Sequence, residues 1–248
     1  MWFETVMDAG FIQLGASVGT AGVMAATWAH AALRPESQLF GRTLIAGSNP
    51  RQMALTFDDG PNDACTEALL DVLARHGATA AFFMIGRFAR QRPDLVRAVH
   101  AAGHVVGNHT EAHPWLAWQS GRRIREEIYA CNAALEDILG VPVRYFRPPH
   151  GARRPAVLRT ASELGLTTVQ WNVMGYDWEP LTAAQIAARV NAGIERARQK
   201  STGSNILLHD GWDVRMGGDR HATLEAADRL LRQFTRDGDT VVSLDAWR

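Results

Sequence analysis

Met53-Ala54-Leu55-Thr56-Phe57-Asp58-Asp59-Gly60-Pro61 decides how the rest of the chain is read. An apolar run of strand length ends on an adjacent carboxylate pair, and Gly-Pro then turns the chain sharply. The same grammar recurs downstream. His109-Thr110-Glu111-Ala112-His113, Arg147-Pro148-Pro149-His150-Gly151, Tyr176-Asp177-Trp178 and Leu207-Leu208-His209-Asp210-Gly211 each follow an apolar run of strand length. Where parallel strands alternate with helices, ligands bind beyond the carboxyl ends of the strands. Polar clusters far apart in sequence are therefore expected to converge on one rim.

Working outward, strand-length runs are predicted at Met53–Phe57, Ala80–Ile85, His104–Gly107, Val143–Phe146, Thr167–Trp171, Asn205–Leu208 and Thr240–Leu244. Between them lie stretches with helical spacing: Leu69/Leu70/Leu73, Leu95/Val96/Val99, Ile124 to Leu139, Val157 to Leu164, Ile186 to Ala197 and Leu224 to Phe234. Alternation of this kind implies parallel pairing through right-handed crossovers, with helices covering the sheet. Seven such units fit a barrel related to the (β/α)₈ type, and a doubly wound open sheet is the alternative. No internal repeat or low-complexity tract interrupts the rhythm.

At 248 residues the chain suits one large α/β domain. Lys+Arg and Asp+Glu both number 26, so charge gives no reason to expect nucleic acid as a partner. Cys65 and Cys131 have no metal-ligand or redox spacing, and buried thiols are the expectation, with a disulfide left open. Phe11 to Leu33 carries no charged residue and is long enough to cross a bilayer, though rich in Gly and Ala. Glu4 and Asp8 precede it, unlike the basic start of a secretory signal. Two readings stand: an Ala/Gly-rich helix packed on the domain, or a membrane anchor through residues 11–33. Were it to span, Arg34 and Arg42 would favour a cytoplasmic catalytic domain.

The residue types at the rim describe a catalytic metal site. Imidazole nitrogen and carboxylate oxygen suit Zn²⁺, with Co²⁺ or Ni²⁺ close behind. His109 and His113 are four apart, a spacing that puts both rings on one face of a helical turn. Two histidines and one Asp leave coordination positions open for water and substrate. Arg147, stiffened by two prolines, is placed to hold a carboxylate bidentately, with Asp58 and Asp177 as partners. His209, at the end of an apolar strand, fits a general acid oriented by a carboxylate. Asp210 reads as a helix-capping residue. Trp115, Trp118, Trp171, Trp178 and Trp212 fall in or beside these segments and offer flat faces to sugar rings or an acetyl methyl.

In this order the five segments resemble the motifs of the polysaccharide deacetylases of NodB-homology type, carbohydrate esterase family 4, from about Arg51 to the C-terminus. The resemblance implies a distorted (β/α)₇ barrel as catalytic domain, residues 49–248. It is preceded by an N-terminal hydrophobic helix and linker over residues 1–48. It further implies Asp58 as catalytic base, and Asp59, His109 and His113 as ligands of a divalent cation. His209 would be the general acid, Arg147 would orient Asp58, and Asp177 would support the network. The backbone N–H of His150 would stabilise the oxyanion, and Trp178 would face substrate. Two positions depart from the pattern: Met174 stands where an acidic residue is common, and His150 where Tyr is common. The implied activity is hydrolysis of the N-acetyl amide of an amino sugar in a polysaccharide or glycan precursor. A small non-sugar C–N substrate and an inactive carbohydrate-binding protein are the competing readings. A membrane-associated or cell-envelope setting is favoured, with the cytoplasm still open.

Overall fold

The computed structural model describes residues 22–247 of the chain. Within them β1 (Gln52–Gly60) is buried along nearly its whole length and alternates between two environments. Met53, Leu55 and Phe57 enter the main apolar core together with Leu69, Val96 and Ile124 of the surrounding helices. Ala54 joins a second cluster with Ala81, Phe83 and Tyr145 inside the curl of the sheet. Thr56 and Asp58 share that inner side and are buried. One face of each strand thus anchors helices while the other builds the barrel interior.

After the helix α1 (residues 22–33), the order is β1, α2 (Thr66–Arg75), β2 (Ala80–Met84), α3 (Gly86–Gln91), α4 (Pro93–Ala101), β3 (Val105–Asn108), α5 (Gly121–Leu139), β4 (Tyr145–Phe146), α6 (Pro155–Glu163), β5 (Thr167–Thr168), β6 (Val173–Met174), α7 (Ala183–Gln199), β7 (Ser204–His209), α8 (His221–Asp237) and β8 (Thr240–Val241). Local signals set helix ends. The Ser120 side chain accepts from the Arg123 N–H at the start of α5, and Gly140 with φ 69° ends it. Thr182 and Gln185 form a reciprocal capping box on α7.

All strand pairs are parallel. The sheet order is β5-β4-β3-β2-β1-β7-β6, with β8 also against β1. The two ends of this order, β5 and β6, are separated in sequence only by Val169, Gln170, Trp171 and Asn172. Five Cα steps reach at most about 18 Å, so the sheet must curl until its edges are near one another. Leu44 adds pairing at that seam: its N–H donates to Thr168 O, and its carbonyl accepts from Gln170 N–H, both at 2.8 Å. The fold is the distorted (β/α) barrel of the NodB type, and the open doubly wound sheet is excluded. The sequence expectation of one strand over Thr167–Trp171 is corrected here. The chain leaves β5 after two residues and crosses to the opposite edge, a change of partner that apolar periodicity does not encode.

Residues 11–21 of the uncharged N-terminal run lie outside the described residues, and the anchor reading falls partly on them. The described part packs on the barrel: Ala31 and Ala32 are buried, and Trp28 meets Trp118 with ring centroids 5.1 Å apart. Among the described residues no helix is long and apolar enough to cross a membrane.

Candidate active site

Strand register positions the first two functional side chains. Asp58 of β1 and His209 of β7 are Cα partners in the parallel ladder, both on the inner face at the carboxyl end. Adjacent strands lie about 4.8 Å apart, so a carboxylate and an imidazole are held side by side at one height. Asp59 would point to the opposite face in a regular strand. The β1–β2 register instead shifts between Asp58 and Gly60, and Asp59 has φ 71°. A bulge with one residue in the left-handed region cancels the alternation and turns both carboxylates toward the same pocket. Thr110, His113, His150 and Tyr176 also have positive φ. For non-glycine residues this is uncommon, and its concentration at one rim marks a site whose geometry is imposed by the surrounding fold.

Asp59, His109 and His113 each offer one ligand atom, all within 4.8 Å of one another. The His113 Nε2 and His109 Nε2 lie 3.2 and 3.5 Å from Asp59 Oδ1. That oxygen is buried and has no hydrogen-bond partner, which is the state expected of an atom that serves a cation. The donor chemistry agrees, because each histidine has an oxygen beside its other nitrogen, within hydrogen-bond geometry for His109 and as a charge contact for His113. His109 Nδ1 lies 2.7 Å from the Arg147 carbonyl, and His113 Nδ1 lies 3.2 Å from Asp213 Oδ2. Such partners fix ring orientation and leave the Nε2 lone pairs facing the centre. Burial pushes the Asp59 carboxyl up, but His109 and the charges of His113 and His209 outweigh it and hold it well below the usual carboxylate range. The residues fit a divalent cation. Contrary to the sequence expectation, the two histidines do not sit on a helical turn. They lie on a loop after β3 with left-handed residues at Thr110 and His113, and this loop brings the ring centroids to 5.0 Å.

Behind the rim stand two supports. Arg147 is fully buried and donates from Nη1 to Asp58 Oδ1 at 2.7 Å and to Thr56 Oγ1 at 2.8 Å. Its Nη2 faces the Gln170 carbonyl and the Asn205 side chain at 3.4 and 3.5 Å, and its guanidinium lies 4.2 Å from the centroid of Phe83. The expected bidentate fork is therefore absent, and Asp177 is not its partner, because the second arm is consumed by the barrel interior. Asp177 instead grips His209 twice. Its Oδ2 accepts the His209 backbone N–H and its Oδ1 meets His209 Nδ1, both at 2.8 Å. Thr223 of α8 donates to Asp177 Oδ2 at 2.8 Å, and Arg220 donates to its carbonyl at 3.1 Å. Burial pulls the His209 imidazole down, but the Asp177 carboxylate, aided by Asp59 and Asp58, raises it to about 9. His209 thus carries a proton at neutral pH, and its Nε2 is the nitrogen left free of Asp177.

Asp58, Asp59, His109, His113, His150, Trp178 and His209 line one pocket of about 550 Å³. Trp171, Met174, Leu207 and Trp212 give it apolar walls. The His150 ring is stacked on Trp115 with centroids 4.0 Å apart, and burial together with His113 and His109 lowers it to about 4. The hydrogen bonds of its turn are donated by Gly151 and Ala152, leaving the His150 N–H out of the pattern. Trp178 stands edge-on to His209 at 5.3 Å. Trp118 is drawn away to Trp28. Asp210 caps no helix: α8 begins only at His221, and the buried Asp210 carboxyl accepts from Thr66 Oγ1 at 2.6 Å. Burial, with the charges of Asp59 and Asp58, raises Asp210 to about 7. Cys65 and Cys131 are free and buried.

Asp213, Thr56, Gln170, Asn205 and Thr223 were not singled out by sequence reasoning. Their signal is tertiary, because each acts by meeting a residue distant in sequence. Leu33, the last residue of α1, and Pro35 just after it also line the pocket. A Pro beside an apolar stretch gave no indication of that.

A family model described as polysaccharide deacetylase matches residues 46–169. A chitooligosaccharide deacetylase of Azorhizobium caulinodans is 39% identical over 197 residues, covering 76% of this chain and 90% of that protein. A peptidoglycan-N-acetylglucosamine deacetylase of Bacillus cereus is 33% identical over 196 residues, covering 79% of this chain and 68% of that protein. The crystal structure of the Bc1960 peptidoglycan N-acetylglucosamine deacetylase superposes with a TM-score of 0.75 at 31% identity, covering 83% of this chain and 91% of that one.

Proposed function

The chain belongs to the polysaccharide deacetylase family and is a hydrolase of non-peptide carbon–nitrogen bonds, and from that premise we propose that it removes N-acetyl groups from N-acetylglucosamine residues of a glycan, releasing acetate. The observation that carries this reading is the in-register pair Asp58 and His209 beside the ligand set Asp59, His109 and His113.

A divalent cation held by Asp59, His109 and His113, zinc first and cobalt or nickel next, would polarise the acetamide carbonyl and lower the pKa of the attacking water. The chain's own residues supply the rest. Asp58, fixed through Oδ1 by Arg147, turns Oδ2 toward the pocket to accept the proton of water as its oxygen bonds to the carbonyl carbon. The His150 N–H donates to the carbonyl oxygen as negative charge grows there. His209, protonated and held by Asp177, gives its Nε2 proton to the amine nitrogen as the C–N bond breaks. Acetate and a free amino sugar result. Trp171, Met174, Leu207 and Trp178 surround the acetamide and sugar with apolar surface.

The test is acetate release from N-acetylglucosamine oligomers, with activity abolished by chelation and restored by Zn²⁺ or Co²⁺. Ureide and formamide substrates run in parallel separate this reading from a small-amide hydrolase. A folded, cation-loaded protein that releases no acetate from any N-acetylated glycan would end the proposal. The same reading favours a cell-envelope setting, which a topology reporter fused after Arg248 checks.

A further inference from the structure

A second cavity of about 510 Å³ adjoins the catalytic pocket. The two share Pro35, Trp171 and Met174 as lining residues, so they lie side by side. Their electrostatics differ. The catalytic side mixes the carboxylates Asp58, Asp59 and Asp213 with Arg220 and the protonated His209, and Asp58 is paired with Arg147. The second cavity is lined by Arg34 and Arg196, and its one lining carboxylate, Glu36, is already paired with Lys200 at 3.0 Å. Neither Arg34 nor Arg196 forms an ion pair among the described residues. Arg189, on the nearby Tyr176 ring, is neutralised by Glu179 at 2.7 Å. Met174, uncharged, lines both cavities at their boundary.

The segment around Pro35, which lines both cavities, is held in place. The Arg153 side chain is buried, and its Nη2 donates to the carbonyls of Arg34, Pro35 and Ser37 at 2.9, 3.2 and 2.5 Å. Its backbone N–H holds the Ala32 carbonyl at 2.9 Å. The segment that carries Arg34 is thereby fixed to the loop that follows His150.

We propose that this second cavity is a subsite for an anionic group, carboxylate or phosphate, borne by the glycan next to the sugar whose acetamide is hydrolysed, with Arg34 and Arg196 as the recognising residues. The inference rests on the proposed glycan substrate and deepens it: the neutral acetamide enters the catalytic pocket while the anion occupies the cavity lined by Arg34 and Arg196. Guanidinium groups recognise both carboxylate and phosphate oxygens, and the shared chemistry is charge-assisted hydrogen bonding.

The experiment uses the full chain. Binding is measured by calorimetry on chelated protein, which does not turn over, and kcat/KM is measured on the cation-loaded protein. The probes are a neutral N-acetylglucosamine tetramer, the same length of glycan bearing lactyl carboxylates, and the tetramer with a reducing-end phosphate. The anionic glycans are expected to bind about tenfold tighter than the neutral one, with the preference shrinking in 0.5 M salt. In Arg34→Ala/Arg196→Ala the anionic-to-neutral ratio of kcat/KM should fall about tenfold, and Arg34→Lys/Arg196→Lys should restore part of it. Preference for only one of the two anionic glycans identifies which anion the subsite takes. Equal binding of all three glycans, or a double variant that leaves the ratio unchanged, overturns the subsite. Acetate absent from every glycan while the anionic preference persists overturns the deacetylase reading and leaves the subsite standing.

Discussion

Asp58 and His209 each have one atom committed to a buried partner and one atom free for chemistry. Asp58→Asn should lower kcat by about 10²- to 10⁴-fold with little change in KM, since a general base acts on the transition state. His209→Gln should do the same, and steady-state acetate assays check both. The pH profile is more specific. His209, raised to about 9, donates its proton, so activity should persist below that value and fall as pH rises through it. The chief upward influence is Asp177, so Asp177→Asn should move the alkaline limb toward the ordinary histidine value of 6.5. An alkaline limb that stays near 9 in that variant would remove His209 from the acid role. The same ion pair stabilises the fold fully below about 6.5 and loses its contribution as pH climbs through about 9. Residue identities at the rim were legible in the sequence because their spacing after apolar runs is a one-dimensional signal. Their partners were not: Arg147 was expected to reach Asp177, and only the packed interior shows its second arm occupied by Gln170 and Asn205.

At the scale of elements, function depends on the ends of β1 and β7 touching through backbone. A Cβ added at Gly211 would fall 1.9 Å from Asp59 O, so no side chain fits without separating the two strand ends. Gly211→Ala should therefore displace Asp59, weakening cation affinity by about tenfold or more, as a titration of the chelated protein would record. Unchanged affinity would show that the bulge at Asp59 is set independently of β7. The strap after α1 is a second such device. Arg153→Ala leaves its three carbonyl acceptors short of a donor, and a loss of about 3 kcal/mol is expected from unmet buried polar groups. Denaturant unfolding measures the loss, and proteolytic cleavage between Leu33 and Ser37 should appear with it. Most helices and strands could be read from periodicity. The break between β5 and β6 could not, because two-residue strands carry no period, and α3 is too short to declare an amphipathic face.

For the molecule as a whole, barrel closure gathers into one pocket the ends of strands that sequence scatters over some 150 residues, from Asp58 to His209. A cation bound there links β1 to the loop after β3 and should stabilise the folded state by mass action. At a free concentration one hundred times the Kd the gain is about 2.7 kcal/mol, visible as a rise in Tm that chelation reverses. No change in Tm on adding Zn²⁺, Co²⁺ or Ni²⁺ would argue against a cation at Asp59, His109 and His113.

By itself, the sequence determined a parallel α/β fold, the identity of the rim residues and their family resemblance, with the barrel as its implication, because apolar period, turn chemistry and motif order are properties of neighbours along the chain. Tertiary structure alone decided which side chains share a hydrogen bond and how Asp59 turns beside Asp58. It also decided that Asp213 stands behind His113 and that Pro35, after α1, lines both cavities. The physical reason is closure. These contacts exist only when strands β5 and β6 are drawn together across four residues, and the curvature that does this is stored in no single stretch of the chain.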